Sequence, residues 1–245
     1  MGSATIRGMT SEGAGGLHHR VLSRIGADLV HGRLEAGDVL SMEQLEERYG
    51  VSRTVVREVV KVLESIGVAT SRRRVGVTFQ PDDSWEALSP VIIHWRLGGP
   101  QRLHQLREVS ELRRGVEPQA ARLAAQDPDD EAVAALRSAA HGMATTGPKG
   151  DLRSYLQHDI DFHTALLAAS GNALLAGFAP FVAEALTGRT DHDLMPQVPD
   201  AQAIEWHLEV AEAIADGHPD RAEETMRFIV AEAQGAMEEI HAAEE

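Results

Sequence analysis

The sequence predicts a mainly α protein. An N-terminal winged helix-turn-helix, made of three helices plus a β-hairpin wing, is joined to an all-α bundle of six to seven helices. Three observations predict this. Between residues 41 and 80 a capped short helix, a tight turn, a basic helix and a basic hairpin follow one another. After residue 101 the apolar pattern is helical only. The charge also changes sign along the chain: residues 1–80 carry 11 Lys+Arg against 9 Asp+Glu (+2), and residues 81–245 carry 12 against 29 (−17).

Residues 1–16, rich in Gly, Ser and Thr, are expected to be a disordered tail. Leu17, Val21, Ile25 and Leu29 repeat at four-residue steps, a helical stripe that Gly32 stops. Ser41-Met-Glu-Gln44 is a capping-box pattern, with Leu45 as core anchor and Gly50 as the break. Ser52 then caps a third helix with Val55, Val56, Val59, Val62, Leu63 and Ile66 on its apolar face. In residues 68–80 the period changes. Val75, Val77 and Phe79 alternate as in a strand, and with 68–71 they form a hairpin tipped by Arg72, Arg73 and Arg74. The DNA-binding-type head is thus bounded at 17–80, followed by a linker with one short helix at 81–100 and a helical domain at 101–245. Within that domain helices are expected at about 101–126, 129–144, 151–170, 172–187, 200–216 and 219–242, punctuated by Pro, Gly and Asp.

The 245 residues are enough for two domains with proper cores, and the hydrophobic (43%) and charged (25%) fractions are ordinary for a globular chain. There is no apolar run of membrane-spanning length and no signal-peptide pattern. Cysteine is absent, which excludes disulfides and thiolate metal sites, so a reducing, cytoplasmic setting is expected. A net charge of −15 argues against nucleic acid as a partner until the chain is split. Phosphate neutralisation is local, so a slightly basic head can bind DNA while the acidic body repels it and helps fix orientation.

In the head, Arg53, Arg57 and Lys61 fall at i, i+4 and i+8, opposite the valines. Arg there can pair with guanine edges and phosphates, Thr54 can contact a phosphate or a thymine methyl, and Arg72–Arg74 can reach backbone or minor groove. A solvated basic face is the bland alternative for one helix alone. In the body, a rotation of 100° per residue along 151–170 puts Asp159 and His163 inside the stripe Leu152, Leu156, Leu166, Leu167, with His158 and Asp161 opposite. An inward carboxylate needs a partner, and a metal ion held by Asp and His at i, i+4 is one. His207 faces inward among Ala203, Ile204, Ala211 and Ile214. Arg113 falls on the stripe Leu106, Val109, Val116, Ala120, where it meets either Glu117 or an acidic ligand.

The segment 40–79, LSMEQLEERYGVSRTVVREVVKVLESIGVATSRRRVGVTF, resembles the winged helix of the GntR family of bacterial regulators. By match to its SRT-x-VRE opening, the resemblance assigns DNA contacts to Arg53, Thr54, Arg57 and Glu58, with Gly76 at the wing tip. Val55-Val56 stands where the family usually has a proline, and the wing lacks the usual glycine before its arginines. The stretches ELRRGVEPQAARLAA (111–125), DIDFHTALLAASGN (159–172) and WHLEVAEAIADGHPDRAEETM (206–226) resemble the FCD-type ligand-binding domain of the FadR subfamily. That resemblance implies a divalent metal on one Asp and three His. Asp159, His163 and His207 match the first three, and Ile229 stands in place of the fourth. Zinc is expected first, with nickel or manganese as alternatives. WEALSPVIIHW (85–95) resembles regulators of sugar-acid catabolism such as galactonate and gluconate repressors. The expectation is therefore a homodimeric repressor, not an enzyme, that binds double-stranded operator DNA without a membrane partner. A small carboxylate such as a sugar acid, held by Arg113 and Asn172, would release it. The rivals are an acyl-CoA-responsive regulator, a metal sensor, and a metal-dependent hydrolase or lyase, against which no general base lies beside the ligands.

Overall fold

The computed structural model describes residues 12–191 and 195–244, with side chains described between residues 16 and 235. Residues 1–11 of the expected tail lie outside the described residues. The chain divides into two compact units at residue 100.

The first unit contains α1 (Glu12–Val30), β1 (Val39–Leu40), α2 (Met42–Tyr49), α3 (Arg53–Ser65), β2 (Ala69–Arg72), β3 (Gly76–Phe79) and α4 (Pro90–Leu97). Helix α1 starts at Glu12 rather than at Leu17, so residues 12–16 are helical where a disordered tail was expected. The capping box is present. Gln44 N donates to Ser41 Oγ at 3.2 Å and Ser41 N donates to Gln44 Oε1 at 2.7 Å, while Gly50 closes α2 with a left-handed φ of +66°. Ser52 has the extended backbone of a cap but accepts no side-chain bond from α3. Helix α3 buries Val56, Val59, Val60 and Leu63. Val55, Val62 and Ile66, expected on the same face, are only half-buried, so the inner face is turned toward Val60.

Strands β2 and β3 pair antiparallel, from Ala69 opposite Phe79 to Arg72 opposite Gly76, and β1 joins the far edge of β3. The two-residue β1 lies outside the sequence expectation. So does the position of Val75, which is 57% exposed at the hairpin tip while Val77 and Phe79 are buried. Val75 N donates to the Arg72 carbonyl at 3.1 Å and Arg74 takes a φ of +66°, so the turn ends the alternation before Val75. The stretch expected as a linker carries α4, whose Ile92 and Trp95 enter the core of this unit beside Val21, Leu45, Leu63 and Phe79.

Gly26 of α1 faces the Trp95 ring so closely that a Cβ would fall 2.1 Å from it. Asp28, one turn from α1's end, accepts from Arg33 Nε (2.7 Å), Arg48 Nη2 (3.0 Å) and the Tyr49 hydroxyl (2.9 Å), tying α1 to α2. Burial alone would raise the Asp28 pKa, but these hydrogen bonds outweigh it and hold the carboxyl below its ordinary value.

The second unit contains α5 (Arg102–Gln126), α6 (Asp130–Thr146), α7 (Leu152–Ala169), α8 (Ala173–Ala176), α9 (Ala179–Asp191), α10 (Ala201–Ala215) and α11 (Pro219–Glu244). Asp129, Asp151 and Asp200 cap α6, α7 and α10 through their side chains. Helix α5 packs on α11 and α7, α7 on α6 and α9, and α10 on α6 and α11. The expected helix 172–187 is two helices, and the second continues to Asp191. The break follows from Pro180, which lacks an N–H and whose ring opposes the carbonyl of Ala176. Among the described residues no helix is long and apolar enough to cross a membrane.

Two stability outcomes follow. Helix propensity favours Ala over Gly by ~1 kcal/mol, but overpacking against Trp95 costs about 1–3 kcal/mol, so Gly26→Ala lowers the urea midpoint. A raised midpoint would mean that the ring swings aside freely. A depressed carboxyl pKa contributes stability above the unfolded value of about 3.9, and this is lost as pH falls through the folded value. The stability gap between wild type and Asp28→Asn should therefore narrow from about pH 6 to pH 3. A gap that stays constant over that range would show that the Asp28 charge contributes nothing.

Candidate functional site

Two groups of side chains stand out, one in each unit. In the first, the exposed face of α3 and the wing enclose a concave surface of about 760 Å³. It is lined by Arg53, Arg57 and Lys61 from α3, by Arg72, Arg73, Arg74 and Gly76 from the wing, and by Glu43 and Glu64. Arg53 Nη1 donates to Glu43 Oε1 at 2.7 Å and Lys61 Nζ to Glu58 Oε1 at 2.8 Å. The Lys61 contact holds the Glu58 pKa below its ordinary value. Thr54 and Glu58 are exposed but line a neighbouring groove, together with His18, Val55 and Lys61. Gly76 is half-buried. Its φ of +123° and the Leu40 carbonyl, 2.7 Å from where a Cβ would stand, give this glycine a backbone reason of its own.

In the second unit six of the buried polar side chains converge from four helices. Helix α7 brings Asp159 and His163 inward, α10 brings His207, α5 brings Arg113 and Glu117, and α9 brings Arg189. His163 Nε2 and His207 Nε2 lie 3.2 and 3.6 Å from the same oxygen, Asp159 Oδ1. Glu117 accepts from Arg113 Nε at 2.7 Å, and its other oxygen lies 2.9 Å from His163 Nδ1, close but poorly aligned for a hydrogen bond. Arg113 Nη2 also lies 3.2 Å from His163 Nε2, and Arg189 Nη2 lies 3.7 Å from Asp159 Oδ2. Burial opposes both carboxylates. The Arg113 and His163 charges nonetheless hold the Glu117 pKa at about 2, and the two imidazoles hold that of Asp159 well below the ordinary range. The His163 pKa is pushed up, because the Glu117 carboxylate outweighs its burial and the Arg113 charge.

The donor set fits a divalent ion. One ligand atom each from Asp159, His163 and His207 lies within 4.8 Å of the others. Donors about 2.0–2.2 Å from a tetrahedral ion stand about 3.3–3.6 Å apart, which the two imidazole-to-carboxylate distances match. His207 Nδ1 donates to the Ala203 carbonyl at 2.6 Å. This fixes the tautomer and leaves Nε2 buried with no hydrogen-bond partner, aimed at Asp159. The facing nitrogen and oxygen lone pairs need a cation between them, a proton or a metal. Ile229, 3% exposed, closes the wall where a fourth ligand would come from. The cavity is about 20 Å³, room for an ion or a single water.

Not every expected site residue joins this cluster. Asn172 is exposed, and its Oδ1 accepts from Leu174 N and Leu175 N as the N-cap of α8. Its Oδ1 is engaged in that cap, and Asn172 is not among the residues lining the cavity. Conversely, Arg189 and Tyr155 line the cavity without having been singled out. Arg189 falls beyond the expected end of its helix at 187.

A winged helix-turn-helix and a helical bundle with a buried polar cluster define a ligand-responsive transcription regulator. The family models agree. Residues 17–79 match "Bacterial regulatory proteins, gntR family" and residues 108–232 match "FCD domain". The chain belongs to the GntR family of bacterial regulators, with an FCD-type C-terminal domain; these are transcription regulators, not enzymes. It is 27% identical to the galactonate operon transcriptional repressor of Escherichia coli K12, over 90% of this chain and 96% of that one. It is 30% identical to the HTH-type transcriptional regulator YieP of the same organism, over 66% and 71%. The solved structure of E. coli McbR/YncC superimposes with a TM-score of 0.55 at 18% identity, covering 92% of this chain and 98% of that one, a likeness of fold.

Removing one partner of a buried ion pair leaves the other uncompensated, at about 3–5 kcal/mol. Glu117→Gln is expected to lower unfolding stability by that amount. A loss under about 1 kcal/mol would mean that Arg113 finds another partner or escapes to water.

Proposed function

We propose that the chain is a dimeric repressor whose helical domain binds a divalent ion, zinc first, together with a small carboxylate of the sugar-acid class. The observation that carries this reading is the buried, unpartnered Nε2 of His207 facing Asp159 beside His163. The ligands would be Asp159, His163 and His207. Bound there, the ion would supply a Lewis-acidic anchor for a carboxylate oxygen. Arg113 and Arg189 supply guanidinium groups for the same anion. The relative named as a galactonate operon repressor supports both the sugar-acid class and repression.

A cavity of about 20 Å³ cannot admit a sugar acid, so the effector must bind an arrangement of the helices wider than this one. Its differential affinity for the two arrangements is what couples it to DNA release. In the head, Arg53, Arg57 and Lys61 read the major groove, Thr54 and Glu58 border that contact, and Arg72–Arg74 hold backbone or minor groove. Two heads on a two-fold axis fit a palindromic operator. The compartment is the one that holds the chromosome, the cytoplasm.

Thermal unfolding against sugar acids, dicarboxylates and acyl-CoAs, with and without chelator, tests the helical domain. One hydroxycarboxylate is expected to raise the transition, and chelator or Asp159→Ala to abolish the rise. Stabilisation by metal alone, or by an acyl-CoA, would replace the sugar-acid reading; no response to chelator would remove the metal. For the head, duplexes enriched by the wild-type protein from a random library provide the probe. Arg57→Ala should bind them about 10–100-fold more weakly, and failure of the wild type to enrich any duplex would refute the DNA-binding reading.

A further inference from the structure

Glu64 is out of place electrostatically. It lies in the last turn of α3 and lines the concave basic surface together with Arg57, Lys61 and the three wing arginines. A carboxylate there repels phosphate and should weaken any DNA contact. Unlike Glu43 and Glu58, which pair with Arg53 and Lys61, Glu64 is bonded to the wing. Its Oε1 accepts from both Ser71 N and Ser71 Oγ, each at 2.7 Å. Ser71 is the third residue of β2, the outer strand of the sheet, opposite Val77 and directly before Arg72. The outward N–H that an edge strand leaves open is here taken by α3.

We propose that Glu64 is a positioning residue for DNA binding, a latch that fixes the wing arginines relative to the recognition helix. This inference rests on the reading of α3 and the wing as the DNA-contacting surface. The hairpin turn beyond the latch is a three-residue tip, Arg73–Val75, exposed and without a core contact of its own. Its placement therefore depends on the strand that carries it, and Ser71 is the point where that strand meets α3 through a side chain. Anchoring the wing before binding reduces the ordering that DNA contact must otherwise impose. Two acceptor bonds to one carboxylate oxygen outweigh, for the specific complex, the repulsion that the same charge causes.

Substitution separates the two effects because Gln keeps the acceptor oxygen and loses the charge, whereas Ala loses both. Binding is measured by fluorescence anisotropy on a duplex enriched by the wild-type protein from a random library, over a range of salt. Glu64→Ala is expected to bind about tenfold more weakly despite losing a negative charge. Its salt dependence should be shallower by about 1–2 in slope as wing–phosphate contacts drop out. Glu64→Gln should bind within about threefold of wild type with an unchanged slope, and Ser71→Ala should fall between the two. Thermal unfolding should be nearly the same for all four proteins, since both residues are exposed. Equal or tighter binding by both Glu64 variants would overturn the latch, leaving Glu64 as repulsion only. So would a loss in Glu64→Ala with the wild-type salt slope. Failure of the wild type itself to enrich any duplex is a different result, and it would remove the DNA-binding reading and the latch's role together.

Discussion

The second unit is organised around two buried carboxylates. Glu117 is fully buried and Asp159 is 3% exposed. Burying an ion costs several kcal/mol even after relaxation, so each must be compensated where it stands. The two are compensated differently. Glu117 finds Arg113 one turn away on its own helix, an i, i+4 pair closed by a bond of 2.7 Å. Asp159 has no guanidinium at bonding distance. Its near neighbours are two imidazoles, from α7 and α10, and Arg189 at 3.7 Å. Three helices, α7, α9 and α10, must therefore hold their relative positions for one carboxylate to be tolerated. His207 Nε2, facing the Asp159 carboxylate, has no hydrogen-bond partner. The permanent ion pair is structural; the incomplete set is where a ligand has something to gain.

The division between these two carboxylates explains what could be read from sequence. Asp159, His163 and His207 were legible because a 100° rotation places polar residues on an apolar stripe, and that conflict has few resolutions. The capping box at Ser41 and the left-handed Gly50 were legible because their chemistry is local. What failed depended on neighbours distant in the chain or on a boundary. Pro180 split a helix expected to be continuous, and the second half runs past the expected end at 187 to Asp191, taking in Arg189. Strand β1 is two residues long and exists only because β3 offers it an edge. Asn172 stands directly ahead of α8, where its side chain serves as the N-cap, a local role that the sequence reading left out. Val75 continued an alternation that the turn had already interrupted.

The head shows a surface on which two of the six cations, Arg53 and Lys61, are already paired before DNA arrives. Arg53 is held by Glu43, with Glu46 at 3.9 Å, and Lys61 is held by Glu58. Contact with phosphate or a base edge must replace these pairs rather than simply satisfy free cations. Such an exchange gives back part of the electrostatic gain and lowers non-specific affinity more than specific affinity, because only a well-fitted site repays the broken pair with bidentate geometry. The small net charge of the head, +2 over residues 1–80, agrees with a surface built for discrimination rather than for bulk attraction.

Ile229 and the size of the cavity belong to one argument. Three protein donors leave a tetrahedral ion one open position, the arrangement of sites that exchange ligands rather than of closed structural sites. A donor side chain in the fourth position would close the ion off; the isoleucine offers none. The same packing leaves about 20 Å³, which a water can fill and a carboxylate-bearing effector cannot. On the reading proposed above, an effector that takes the open position would push the wall outward, moving α11, which carries Ile229, against the helices that carry the three donors. Well-packed interiors resist continuous deformation, so such a displacement takes the form of a second packing rather than a gradual swelling. On that reading effector binding and rearrangement of the bundle would be one event, with Ile229 as the element that joins them.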